Sequence, residues 1–216
     1  MQQLNIFDDY QITKPIRLIE FFAGIGAQAK ALKNLGANFE HHRICEWAVP
    51  SILAYNEIHQ DELNDYGTDF SQGKSKQEIV DFLFEKGISS NYNEPMKYEQ
   101  IKRMPEQKMR SVYNAIHSTH NLVNIQTAKG KDLGIVDVDK YEYILTYSFP
   151  CQDLSVAGKC AGMDKGSGTR SGMLWEVERI LKECNEIGNL PQVLLMENVP
   201  QVCGKKNMEN FTYWQE

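Results

Sequence analysis

Tyr141-Glu-Tyr-Ile-Leu-Thr-Tyr-Ser-Phe-Pro-Cys-Gln-Asp153 has the aromatic and β-branched density of a buried strand over 143–149, and then meets a proline. Pro150 has no N–H for a ladder hydrogen bond, so it ends the strand and throws Cys151 onto the loop beyond it. In an open α/β sheet, the loop beyond a strand's carboxyl end is where ligands sit. The loop 151–172 is studded with Gly158, Gly162, Gly166, Gly168 and Gly172, a composition suited to a mobile lid. A thiol under a glycine-hinged lid suits covalent catalysis. The alternative is a buried, inert cysteine in a strand-end turn.

Working outward, Ile16-Arg-Leu-Ile-Glu-Phe-Phe22 reads as a first strand with apolar residues on both faces, as in a buried parallel sheet. Ala23-Gly-Ile-Gly26 is a turn, followed by an Ala/Leu/Lys-rich helix over 27–35 that closes at Gly36. Glycine lets the backbone approach a ligand here, and the helix start offers free N–H groups. A second strand over 39–45 ends in Glu46-Trp47. An acidic residue about 20 positions past the glycine turn is the usual partner of a ribose diol in this arrangement. Trp47 could stack on a base, or be a core aromatic at the head of the helix 48–59.

Residues 60–130 read as a helical insertion on the sheet's flank. Helical periodicity over 75–85 and 98–120 is separated by the turn-rich Ser89-Ser-Asn-Tyr-Asn-Glu-Pro95. His117 and His120 could share a helix face, but no Cys or carboxylate completes a set with them, so no metal is expected. Thr169 to Cys184 contains an amphipathic helix, and Gln192-Val-Leu-Leu-Met-Glu-Asn-Val199 is another buried strand. That strand delivers Glu197 to the same sheet edge as Cys151. A charge directly after Leu-Leu-Met is unusual unless paired or functional. The tail from Gln201 has no assignable role.

Composition bounds the answer. The chain has 216 residues, 42% hydrophobic and 24% charged, which suits one soluble domain. No apolar run is long enough to span a membrane, and the N-terminus is unlike a secretory signal. Five cysteines without a CxxC pair fit a reducing, cytoplasmic setting. The net charge of −6 opposes phosphate binding, which requires a basic face. Locally, Lys159, Lys165 and Arg170 outnumber Asp164 in the lid.

Ser148-Phe-Pro-Cys-Gln-Asp-Leu-Ser155 resembles the nucleophile motif of the cytosine-C5 DNA methyltransferases. Phe21-Phe-Ala-Gly-Ile-Gly26 and Glu197-Asn-Val199 resemble two further motifs of that family, in the family's order. The resemblance covers most of 16–202. It implies a Rossmann-like α/β S-adenosylmethionine-dependent methyltransferase fold, three-layered, with an incomplete, mostly parallel sheet and the helical insertion.

The resemblance also implies roles. Cys151 would add to C6 of cytosine, with Pro150 shaping the pocket and Asn198 holding the loop. Glu197 would contact N3 and the exocyclic amine, its carboxyl protonated or sharing a proton with N3 in a desolvated site. S-adenosylmethionine, leaving as S-adenosylhomocysteine, would be held by Phe22, Ala23, Gly24, Gly26, Glu46, Trp47, Asp132, Leu133 and Leu174. Gly130-Lys-Asp-Leu133 resembles the third cofactor motif, with Asp132 accepting from the adenine amino group. An Asp in a turn also commonly bonds its own backbone, and Asp137 and Asp139 compete for the role.

The implied partner is double-stranded DNA carrying a flipped base, in a restriction-modification setting and without a membrane. The whole chain, 1–216, would be the catalytic domain. The target-recognition domain of the family is not visible in it, so a second polypeptide, a C-terminal half or a homo-oligomer is expected to complete the enzyme. A catalytically silent S-adenosylmethionine-binding fragment and a tRNA cytosine-C5 methyltransferase are the alternatives.

Overall fold

The structure, a computed structural model, describes residues 11–154 and 162–215. Four strands form one parallel sheet: β1 (Ile16–Phe21), β2 (Phe39–Cys45), β3 (Glu142–Tyr147) and β4 (Val193–Met196), in the order β2-β1-β3-β4. Glu142 to Tyr147 are buried throughout, as expected of a strand with neighbours on both sides and layers on both faces. The expected strand over 143–149 is two residues shorter at its carboxyl end. The ladder finishes where the Glu197 N–H donates to the Tyr147 carbonyl, and 148–150 then leave the sheet.

Alternation along β1 sorts the layers. Ile16 and Leu18 pack with Ile144 against Ala29 and Leu32 of α1 (Ala27–Asn34). Ile19 and Phe21 pack with Leu145 and Tyr147 against Leu174, Val177 and Ile180 of α6 (Leu174–Glu186). Helices thus lie on both faces of the sheet, the three-layer α/β arrangement of a Rossmann-like fold. Among the described residues, no helix is long and apolar enough to cross a membrane.

After α2 (Val49–Ile58), the segment to residue 120 carries α3 (Lys76–Lys86), α4 (Tyr98–Lys102) and α5 (Glu106–Ser118). Ser75 and Glu78 form a capping box at the start of α3, and Gly87 closes it in the left-handed region. The helix expected over 98–120 is two helices, because Pro105 disfavours helical backbone at Met104. Ile79, Leu83, Ile101, Met109 and Val112 form a second core with Val49 and Ile52 of α2. The tail without a sequence-assigned role contains α7 (Met208–Gln215), whose Trp214 Nε1 donates to the Tyr147 hydroxyl at 3.0 Å.

Gly26 caps the start of α1 at φ +81°, and a Cβ there would lie 2.2 Å from His59 Nε2 and 2.7 Å from Tyr55 Cε2. Glycine is therefore needed for packing as well as for the turn. Gly26→Ala is expected to lower stability by about 2–4 kcal/mol, combining left-handed strain with overpacking. Urea unfolding measures this, and a loss well under 1 kcal/mol would contradict the close packing.

Candidate active site

β1 and β3 are neighbours at the centre of the sheet, and their following strands lie on opposite sides, β2 beyond β1 and β4 beyond β3. Strand order reverses between them, and ligands of open α/β sheets bind outside the carboxyl ends at such a point. Phe22 and Gly24, just past β1, both have φ +55°. For Phe22 this is a left-handed conformation costing about 1–2 kcal/mol. Backbone held in such a state clusters at ligand sites.

Glu46 follows β2 at the same edge and is only 7% exposed. Its Oε2 accepts from the Gly24 N–H at 2.9 Å and its Oε1 from the Ala48 N–H at 2.7 Å. Burial pushes its carboxyl up from the ordinary value, and those N–H groups oppose the rise. A carboxylate accepts about four hydrogen bonds, so capacity remains for a diol. Sequence reasoning missed the residue that sets Glu46 in place. Asn121 Oδ1 accepts from the Glu46 N–H at 3.1 Å and the Val123 N–H at 2.8 Å, and its Nδ2 donates to the Glu46 carbonyl at 2.9 Å. Val123 beside it is buried at φ +68°, an outlier for a β-branched residue. The spacing between Glu46 and Asn121 hides this pairing from any local reading.

Past β3, Cys151 is half-buried and free, and packs against the main core. Asn198 Nδ2 donates to the Phe149 carbonyl at 2.8 Å, tying the end of β4 to the backbone just before Pro150. Ser171 Oγ donates to the Pro150 carbonyl at 2.7 Å. Asp153 Oδ2 accepts from the Arg170 N–H at 2.6 Å, and the Gly162 N–H donates to the Asp153 carbonyl at 3.0 Å. Cys151 therefore stands on a loop fastened at several points, and the roots of the lid meet at Asp153.

Other expected residues are placed differently. Glu197 shares the edge with Cys151 but is exposed, not desolvated. Asp132 lies in a 3-10 turn level with the middle of β2. Its Oδ2 accepts from the Lys129 N–H at 3.0 Å, and its carbonyl accepts from Arg43 Nε at 3.3 Å. The carboxylate thus caps its own turn, whereas Asn121 and Val123 flank Glu46. Leu133 and Leu174 are fully buried in the main core and back the site from beneath. Trp47 packs against the second core, and its carbonyl accepts from the Ser89 N–H at 2.7 Å.

The lid's basic groups among the described residues are also engaged. Lys165 pairs with Glu178, and Arg170 lies 3.8 Å from Asp153. Gly158 and Lys159 lie outside the described residues. His117 stacks on Phe70 and Phe82, while His120 pairs with Asp65 at 3.4 Å, so each is engaged with its own partners.

Residues 100–216 match the family model described as C-5 cytosine-specific DNA methylase. The chain belongs to that family. It is 40% identical over 209 residues to orphan methyltransferase M.SssI of Spiroplasma monobiae, covering 94% of this chain and 51% of that protein. It is 33% identical over 202 residues to type II methyltransferase M2.ScrFI of Lactococcus lactis subsp. cremoris, covering 91% and 50%. The chain spans about half the length of these curated relatives. Membership of a DNA-methylase family accords with a thiol and a buried acid on one edge of a parallel sheet.

Asn121→Ala would leave two N–H groups and one carbonyl without their partner beside Glu46. The expected loss is about 2–3 kcal/mol in urea unfolding, since buried polar groups are left unpaired. A loss under about 0.5 kcal/mol would mean that Asn121 does not hold the corner.

Proposed function

We propose that this chain is the catalytic part of an enzyme that methylates C5 of cytosine in duplex DNA, using S-adenosylmethionine as donor. The observation that carries the reading is the placement of Cys151 beyond β3, held by Asn198 and Ser171, on the edge that also presents Glu46.

The residues fit the donor. Positive φ at Phe22 and Gly24 turns the backbone tightly beside a nearly buried carboxylate with remaining acceptor capacity. Glu46 would accept from the ribose hydroxyls, with Ala23, Gly24 and Gly26 forming the floor and Trp47 close by. Asp132 would meet the adenine amino group, with the 121–125 segment, which bonds Glu46 directly, as the alternative wall. S-adenosylmethionine supplies the methyl group.

The protein's own residues do the rest. Cytosine C5 is a weak nucleophile, and the target base must leave the duplex before a thiolate can reach C6 from above the ring. Bond formation between Cys151 Sγ and C6 pushes electron density to C5. Glu197 supports the ring through N3 and the exocyclic amine. Its exposure falls when the base and the lid close over it. After transfer, loss of the C5 proton and departure of the Cys151 thiolate restore aromaticity.

A recognition element, on a second polypeptide or on a C-terminal half, would cover the open side of the sheet. Leu194 and Leu195 of β4 are 46% and 53% exposed, and β4 is the last strand of the described sheet. Exposed strand edges are normally paired or covered. The acidic charge, with Lys165 and Arg170 drawn onto carboxylates, leaves phosphate attraction largely to that element.

Glu46→Ala is expected to weaken S-adenosylmethionine binding by roughly 10–100-fold, the loss of about 1.5–3 kcal/mol from charge-assisted hydrogen bonds. Calorimetry returning the same affinity would place the donor elsewhere. Methyl transfer from radiolabelled donor is expected on duplex DNA and not on tRNA. It should be weak for the chain alone and restored by a polypeptide equivalent to the half of its relatives that it does not span. Cys151→Ser should abolish both transfer and covalent trapping by 5-fluorocytosine DNA. An adduct formed by the serine variant would overturn the mechanism, and transfer to tRNA alone would overturn the substrate.

A further inference from the structure

Beneath the glycine turn, three metal-ligating side chains converge. His41 comes from β2, His59 directly follows α2, and Glu62 lies in the turn beyond it. One ligand atom of each lies within 4.8 Å of the other two. His59 Nδ1 is 2.8 Å from Glu62 Oε2, and His41 Nε2 is 3.7 Å from the same oxygen. Two ligands of a tetrahedral zinc, each at roughly 2.0–2.1 Å from the ion, stand about 3.3–3.4 Å apart. The observed spacings bracket that value.

Hydrogen bonding assigns the protons. The Tyr55 hydroxyl donates to Glu20 Oε2, so its oxygen accepts from His41 Nδ1 at 2.7 Å. The lone pair of His41 is then on Nε2, which is buried and has no hydrogen-bond partner. The His41 side chain is 2% exposed. His59 Nε2 faces the Ile25 carbonyl at 3.2 Å, and its Nδ1 faces Glu62 Oε2 at 2.8 Å. His41 Nε2 thus points, without a hydrogen-bond partner, at a carboxylate oxygen that His59 Nδ1 also reaches. A buried acceptor facing a carboxylate oxygen is costly unless a cation sits between them, and a bound metal would displace the proton that His59 and Glu62 otherwise share.

We propose that His41 Nε2, His59 Nδ1 and Glu62 Oε2 bind a zinc ion. Two imidazoles and one carboxylate are a suitable donor set, with a fourth position left for water. Glu62 is 18% exposed and provides the opening to solvent. The outer partners also match what ligating groups require: Tyr55 and Glu20 behind His41, the Ile25 carbonyl behind His59, and Lys33 on the other oxygen of Glu62. The ion would fasten β2 to the end of α2 and, through His59, brace Ile25 in the turn between Gly24 and Gly26. The His117 and His120 pair, close in sequence and without a third ligand, pointed away from a metal. The set here joins a strand to a His-x-x-Glu pair far along the chain.

The purified chain, stripped with a chelator and dialysed against zinc, is expected to retain one zinc per chain and to melt at a higher temperature than the stripped protein. His41→Gln and Glu62→Gln should each weaken retention at least tenfold and abolish the thermal shift. Glu62→Gln keeps an oxygen for Lys33 at a partly exposed position, and circular dichroism checks that it folds. Cobalt in place of zinc should give visible d–d absorption without thiolate charge-transfer bands. Absence of zinc retention would overturn the assignment and leave His59 as an imidazolium paired with Glu62. Equal retention by both variants, or a cobalt–thiolate band, would also overturn it by placing the metal on cysteines.

Discussion

Everything in this molecule hangs on β1 and β3 lying side by side, parallel, with their neighbours departing in opposite directions. Parallel strands need layers on both faces, which α1 and α6 supply. The reversal of strand order leaves the carboxyl edge uncovered at one place. Phe22, Glu46 and Cys151 all emerge there. Their chemistry differs, but their position has one cause.

Backbone at that edge is held by side chains rather than by the ladder. Asn121 replaces ladder partners for Glu46 and Val123, Asn198 does so for Phe149, and Asp153 does so for the lid roots. A short polar side chain that satisfies nearby N–H or C=O groups lets the chain leave a sheet without stranded donors. The helical segment between β2 and β3 joins the same scheme. Ser89 clasps Trp47 and Val49 just past Glu46, and Arg170 at the lid root reaches Asn93 at 3.2 Å. The segment thus touches both the Glu46 corner and the lid.

The charge pattern follows a similar logic. The cations that appear free in a list of residues are drawn onto carboxylates by proximity: Lys165 to Glu178, Arg170 to Asp153, Lys33 to Glu62. Exposed pairs of this kind add little stability, yet they remove cations from any phosphate-binding face. Surface charge is therefore poorly read from local excess alone.

Much of the fold was legible in the chain itself. Strand and helix periodicities, Pro150 after an apolar run and the glycine turn are local signals, and local signals act over a few residues. Those residues placed Cys151, Glu46 and Glu197 at strand ends and identified their family. Tertiary structure decided what depends on distant partners. Pro105 divided a helix in two. Asp132 capped its own turn while Asn121, far from Glu46 in sequence, clasped it. Glu197 stood exposed beside an open strand edge, and His41 met His59 and Glu62 under the glycine turn. Hydrogen bonds and burial are set by which groups meet in space, and a linear pattern records only which groups are available to meet.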